Sequence, residues 1–183
     1  MRPYIQLKHL TKRSNGLGLF IEDVPLSKIL ENGQTPLYVT SLSAVQTRIN
    51  TYKNTLKNHF QKSNIFYACK ANFSRPILEE VFLAQAGIDI VSIGEWKAAL
   101  AAGFQPQNIC FAGVGKKEEE WKTAISNQIG YLNVEHIQEL EDILNFISQN
   151  KITNPPVISL RLNPCLEIET HPHLKTGALD SKF

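Results

Sequence analysis

Lys70 closes an apolar run, Ile65-Phe66-Tyr67-Ala68-Cys69-Lys70, whose composition predicts a buried strand. A cation at the end of a core strand is costly unless something there uses it. A lysine amine in a dry pocket has a lowered pKa and suits Schiff-base chemistry with a carbonyl compound. The period-2 alternation of a strand would put Ala68, Lys70 and Asn72 on one face. Ala68 is small, so it would leave room beside the lysine for a flat ligand. The competing reading is common: a strand-end lysine often lays its stem along apolar surface and sends its amine to solvent.

Two further charges repeat the pattern. Asp89 lies in Gly87-Ile88-Asp89-Ile90-Val91-Ser92, and Arg161 lies in Ile158-Ser159-Leu160-Arg161-Leu162. A carboxylate within a strand needs a partner. In parallel α/β folds the carboxyl ends of strands carry the site. Three charges on three separate strands could neutralise one another around a polar ligand. Ser92 and Glu95 have the spacing of a helix capping box, which explains them without a ligand. Gly113-Val114-Gly115-Lys116-Lys117 follows a strand and opens a helix, where an anion could sit. It fits neither a Walker loop nor a dinucleotide fingerprint, so it reads as a turn with two exposed lysines. His171-Pro172-His173 offers two imidazoles but no third ligand nearby, so no metal is expected.

The elements that must position these residues follow from apolar periodicity. Strand-like runs begin near Ile65, Ile88, Ile109, Ile129 and Val157, with starts 20 to 28 residues apart. Helical patterns fill the gaps, from Pro76 to Gly87, Gly94 to Gly103, Lys117 to Gln128 and Glu135 to Gln149. That is the rhythm of serial βα units, hence a parallel sheet or barrel. Upstream, Ser43 to Phe60 reads as one amphipathic helix with Val45, Ile49, Tyr52 and Leu56 in a stripe. Gly16 to Glu22 and Pro36 to Thr40 read as short strands around a helical turn at Leu26 to Leu30.

Composition narrows the function classes. The 183 residues are 43% hydrophobic, and 19 basic residues nearly balance 17 acidic ones. That balance gives no electrostatic case for nucleic acid or an anionic membrane. The N-terminus has no apolar signal-peptide core, and no apolar run approaches the roughly 18 residues of a membrane span. Cys69, Cys110 and Cys165 are odd in number and far apart, which fits buried filler in a reducing cytoplasm better than a disulfide or zinc framework.

Together these residues resemble the alanine-racemase-like, fold-type III pyridoxal-phosphate decarboxylases. The matching pieces are Gly33-Gln34-Thr35-Pro36-Leu37-Tyr38-Val39, Tyr67-Ala68-Cys69-Lys70-Ala71-Asn72, Asp89-Ile90-Val91-Ser92-Ile93-Gly94-Glu95, Asn133-Val134-Glu135, Arg161-Leu162-Asn163-Pro164, the run from Thr170 to Gly177, and Ser181-Lys182-Phe183. They run in family order over nearly the whole chain. The run from Thr170 to Gly177 is the most specific and is similar to the branch acting on meso-diaminopimelate rather than ornithine or arginine.

The resemblance implies a TIM-type (β/α) barrel seen in part over residues 41–183, with residues 1–40 contributing to a second, β-rich domain. It implies pyridoxal 5'-phosphate as cofactor, carried covalently by Lys70, with Ala68, Asp89 and Arg161 lining its pocket. It further implies an amino-acid substrate, a decarboxylation that yields L-lysine and carbon dioxide, and a homodimer of the whole protein. A different substrate within the family, or a non-catalytic barrel that only binds the cofactor, are the rival readings. Only five βα-type strands are expected here, whereas a closed barrel needs eight and about 250 residues. The chain therefore reads as the N-terminal part of a longer protein, inactive by itself.

Overall fold

Alternation decides the sheet. Ile88 and Ile90, Ile109 and Phe111, and Leu132 and Val134 are all buried, while the residue between each pair stands on the opposite face. Each pair belongs to one strand of a parallel sheet, and helices cover that face. The computed structural model describes residues 10–12, 18–31 and 33–163.

The sheet contains β4 (Phe66–Ala68), β5 (Gly87–Ile90), β6 (Ile109–Phe111), β7 (Tyr131–Val134) and β8 (Val157–Leu160), in that spatial order and all parallel. Between them run α3 (Arg75–Leu83), α4 (Ile93–Ala101), α5 (Glu118–Ser126) and α6 (Ile137–Gln149). Each strand pairs with its predecessor in sequence, as serial βα units require. The expected α/β class and order hold. The fourth strand begins at Tyr131 rather than Ile129. Ile129 is instead buried in the turn that follows α5, where its N–H donates to Ala124 O at 3.1 Å. Among the described residues no helix is long and apolar enough to cross a membrane.

The N-terminal part differs from expectation. β1 (Leu10–Lys12), β2 (Leu19–Ile21) and β3 (Val24–Pro25) form a separate antiparallel sheet, followed by the short α1 (Leu26–Leu30). β2 falls within the expected run Gly16 to Glu22. Pro36 to Thr40 forms no strand. Pro36 offers no N–H, Leu37 and Val39 are exposed, and Tyr38 is 99% exposed, so nothing along the segment supplies a ladder.

α2 (Leu42–Lys57) begins at Ser41, whose hydroxyl accepts from Ala44 N at 2.9 Å. Its stripe is only partly used. Ile49 is buried and Val45 packs on the core, but Tyr52 is exposed. Lys53 ties α2 to the end of α3 by donating to the Ala84 carbonyl.

Two glycines are required by close approach. At Gly87 a Cβ would lie 2.6 Å from the Phe66 ring, which crosses the strand there to meet Tyr131 edge-on, centroids 4.8 Å apart. At Gly130 a Cβ would lie 2.0 Å from the Gln107 carbonyl oxygen, because Gly130 N donates to Pro106 O at 2.9 Å. Backbone must move to admit any side chain there. Gly130→Ala is therefore expected to destabilise the full-length protein by at least about 2 kcal/mol, while Gly115→Ala, which meets nothing within 4 Å, changes stability by less than about 1 kcal/mol. Urea unfolding of the two variants checks the contrast.

Candidate cofactor site at the carboxyl ends of the strands

Because helices seal one face of the sheet, polar residues gather on the other. Ala68 of β4 lies beside Asp89 of β5 in register, and Asp89 lies beside Cys110 of β6. All three point away from the helices. Asp89 Oδ1 is enclosed and has no hydrogen-bond partner. Burial pushes the Asp89 carboxyl above the usual carboxylate range. The neighbouring Cys110 thiol and the charge of Lys70 oppose that rise, whereas Glu95 and Glu135 add to it.

The Cys110 thiol has one proton and two claimants. Asn133 Oδ1 lies 3.5 Å from its sulfur, and Asp89 lies on its other side. We assign the proton to Asn133, where donor geometry is met. A thiol is a weak donor in either direction, so Asp89 is left under-satisfied. Burial, followed by the charge of Asp89, pushes the Cys110 thiol up to about 12. Burial likewise pushes Cys69 up to about 11, ahead of the charges of Glu95 and Asp89. Both thiols are free and buried, as expected of filler.

Lys70 departs from its expected setting. The strand stops at Ala68, and Cys69–Ala71 form a 3₁₀ turn. A turn of about three residues per revolution replaces the period of two. Cys69 goes to the core with no exposure, and Lys70 is swung past the strand end into the open. Ala68, Lys70 and Asn72 therefore do not share one strand face, and the amine is not in a dry pocket. The turn is held from both sides. Tyr67 Oη donates to Asn72 O at 3.1 Å, and Ser74 N donates to Asn72 Oδ1 at 2.9 Å. The lysine remains near enough to Asp89 for its charge to act there.

Arg161 stands just beyond β8. Its N–H extends the ladder to Val134 O at 2.9 Å. Its Nη1 lies 3.2 Å from Glu135 Oε2 and 3.3 Å from Glu135 Oε1. The three predicted charges do occupy the carboxyl ends of three strands, but Arg161 is paired with Glu135 rather than with Asp89. Sequence reading did not single out Glu135 as a site residue. The signal was present, since Asn133 and Glu135 alternate with Leu132 and Val134.

The Gly-Val-Gly-Lys-Lys turn is also different from its expected form. Lys117 is exposed, but the Lys116 side chain is fully enclosed and its Nζ lies 3.0 Å from Glu139 Oε1. Ser92 caps α4 as expected, accepting from Glu95 N at 3.2 Å. Glu95 reaches one residue further back than a capping box does, accepting from Val91 N at 2.7 Å. Among the described residues no group of three or more His, Cys, Asp or Glu side chains could hold a metal. His171, His173, Cys165, the run from Thr170 to Gly177 and Ser181 to Phe183 lie outside the described residues.

These groups fit a flat ring cofactor bearing an aldehyde. They supply a primary amine at a strand end, a small side chain beside it, and an enclosed carboxylate oxygen that still lacks a donor. Residues 42–183 match the family described as pyridoxal-dependent decarboxylase, pyridoxal binding domain. The chain belongs to that family. It is 41% identical over 165 residues to the diaminopimelate decarboxylase of Aquifex aeolicus, covering 90% of this chain and 38% of that protein. The Vibrio cholerae diaminopimelate decarboxylase is 36% identical over 90% of this chain and 39% of its own length. The chain thus spans about two fifths of the length of the curated relatives it matches.

Among solved structures, diaminopimelate decarboxylase from Helicobacter pylori complexed with L-lysine superposes with a TM-score of 0.76 at 36% identity, over 86% of this chain and 39% of that one. The enzyme from M. jannaschii in co-complex with L-lysine gives 0.77 at 30% identity, over 94% and 40%. The fold is thereby that of the fold-type III enzymes with a TIM-type barrel, of which five strands are described here.

Asp89 gives a signed test. In cofactor-free protein its folded pKa is raised above the unfolded value of about 3.9, so the folded state holds the proton more tightly. Stability from this group is present below about pH 4 and is lost as pH rises through the raised folded value. Asp89→Asn is expected to raise the urea midpoint of cofactor-free full-length protein at pH 7, with the gain shrinking toward pH 4. A gain that grows toward acid would contradict the assignment.

Proposed function

We propose that this chain is the cofactor-holding part of an enzyme that decarboxylates meso-2,6-diaminopimelate to L-lysine and carbon dioxide. The observation that carries the reading is the enclosed, partnerless oxygen of Asp89 beside a lysine amine at the carboxyl end of β4. The relatives named diaminopimelate decarboxylase, and two solved structures that hold L-lysine, support the substrate. Pyridoxal 5'-phosphate, when bound, supplies an electron sink for the pair left behind by departing carbon dioxide.

The chain's own residues contribute binding, orientation and charge. Lys70 presents a primary amine that the 3₁₀ turn fixes just beyond the strand, and it would hold the cofactor covalently. Ala68, next to Asp89 in register, keeps the space beside that amine free of bulk. Asp89 would help hold the cofactor with its open oxygen, which is free to accept a hydrogen bond that removes the cost of its burial. Arg161, held by Glu135, would place its positive charge at the end of β8, beside the cofactor. We further assign residues 1–40 to a second, β-rich domain and the remainder to the barrel. The whole protein would act in the cytoplasm as a homodimer.

Two measurements test this. Borohydride treatment of the loaded full-length enzyme is expected to fix the cofactor on the peptide containing Lys70, with Lys70→Ala abolishing the attachment; cofactor recovered on Lys116 or Lys175 would sink the assignment. Carbon dioxide release is expected to be at least about a hundredfold faster from meso-diaminopimelate than from ornithine, since a site built for a second polar group strongly rejects a substrate lacking it. Comparable turnover of the two would overturn the substrate.

A further inference from the structure

Lys116 is the least expected side chain in the molecule. It is a lysine with no side-chain exposure, set in the loop between β6 and α5. Enclosing an ammonium is expensive unless its hydrogen bonds are complete. Here they bind it into a closed circuit. Lys116 Nζ donates to Gly113 O at 2.8 Å and pairs with Glu139 Oε1 at 3.0 Å. The other oxygen of Glu139 accepts from Glu135 N at 3.0 Å. Glu135 Oε1 accepts from Gly113 N at 3.3 Å, which returns to the starting residue.

Gly113 makes the circuit possible. Its φ is +121°, a conformation L side chains rarely adopt. That twist lets its N–H face Glu135 while its carbonyl faces Lys116. The circuit joins the loop after β6 to the loop after β7. It fixes Glu135 at two points, by its backbone N–H and by one carboxylate oxygen. The same carboxylate receives Arg161, the residue at the end of β8. Lys116 is thereby linked to Arg161 through Glu139 and Glu135.

We infer that Lys116 and Glu139 are positioning residues for the cofactor site, holding Glu135, and through it Arg161, in the place from which Arg161 serves the cofactor. The inference rests on the proposed role of Arg161. Removing the Lys116 ammonium leaves Glu139 and the Gly113 carbonyl without their cation. Glu139 turns to solvent, and Glu135 N and Gly113 O lose their partners together. The Glu135 carboxylate is then held by Gly113 N and Arg161 without its tie to α6. A purely structural ion pair would behave differently. Its loss would lower stability and leave the folded site as it was.

The test is an equilibrium titration of cofactor-free full-length enzyme with pyridoxal phosphate, followed by the absorbance of lysine-bound cofactor, alongside thermal unfolding. The variant is Lys116→Met with Glu139→Gln, which removes both charges and strands neither in the interior. Arg161→Gln is made in the wild-type and in the double-variant background. The expected result is a cofactor Kd raised roughly tenfold by the double variant, the size expected when a contact is misplaced by a fraction of an ångström. Arg161→Gln is expected to raise Kd in the wild-type background and to add less than about twofold in the double variant, because the two changes act on one linkage. A double variant with lowered Tm but unchanged Kd, together with a raised Kd for Arg161→Gln, overturns the inference and leaves the role of Arg161 standing. An unchanged Kd for Arg161→Gln alone removes that role and the inference with it. Should the double variant fail to fold, Glu139→Gln alone carries the same expectation at reduced size, and full additivity with Arg161→Gln overturns it.

Discussion

Sealing one face of a parallel sheet forces everything else. Helices α3 to α6 close over Ile88, Ile90, Ile109, Phe111, Leu132 and Val134, and the burial of these side chains is the main favourable term available to the fold. With a period of two, the residues between them have no choice of side. Asp89, Cys110 and Asn133 stand on the inner face because their neighbours are committed outward. Shifting β5 by one residue would send an isoleucine into the site and the Asp89 carboxylate under a helix. The chemistry is thus placed by apolar residues that take no part in it.

The ends of the strands show a second recurring device. After β5, Glu95 accepts from Val91 N; after β6, Glu120 accepts from Lys117 N at 2.8 Å; after β7, Glu139 accepts from Glu135 N. In each case a glutamate in the first turn of a helix reaches back to a backbone donor at or just before the helix start. The carboxylate also meets the favourable end of the helix dipole. Three consecutive βα junctions are stiffened in this way, and these junctions carry or adjoin the site.

Much of this was readable in the residues. The five strands, their order and the covering helices follow from apolar periodicity and Gly or Pro boundaries. The placing of Lys70, Asp89 and Arg161 at strand ends follows from charges that interrupt apolar runs. What periodicity could not carry was local geometry. The 3₁₀ turn at Cys69–Ala71 arises because Cys69, not Lys70, fills the core, and both positions looked equally strand-like. Lys116 gave no signal, because its burial depends on Glu139, a residue 23 positions away in the first turn of α6. The three-stranded N-terminal sheet was half seen: β2 lies in an apolar run, whereas β3 contains Pro25 and spans two residues.

The contact between Phe66 and Tyr131 has a geometric consequence. Their strands, β4 and β7, are separated by two others, so in a flat sheet they would stand about 14 Å apart. The rings nevertheless meet at 4.8 Å, one of them crossing Gly87, where no side chain intervenes. An aromatic bridge across the concave side therefore belongs to an arch, not to a plane. That arch is built from local parts, a glycine and two rings, all supplied between positions 66 and 131. In a nascent chain leaving the ribosome, the bend would exist before later segments were made. Any strand that adds to either edge would meet a surface already curved toward closure.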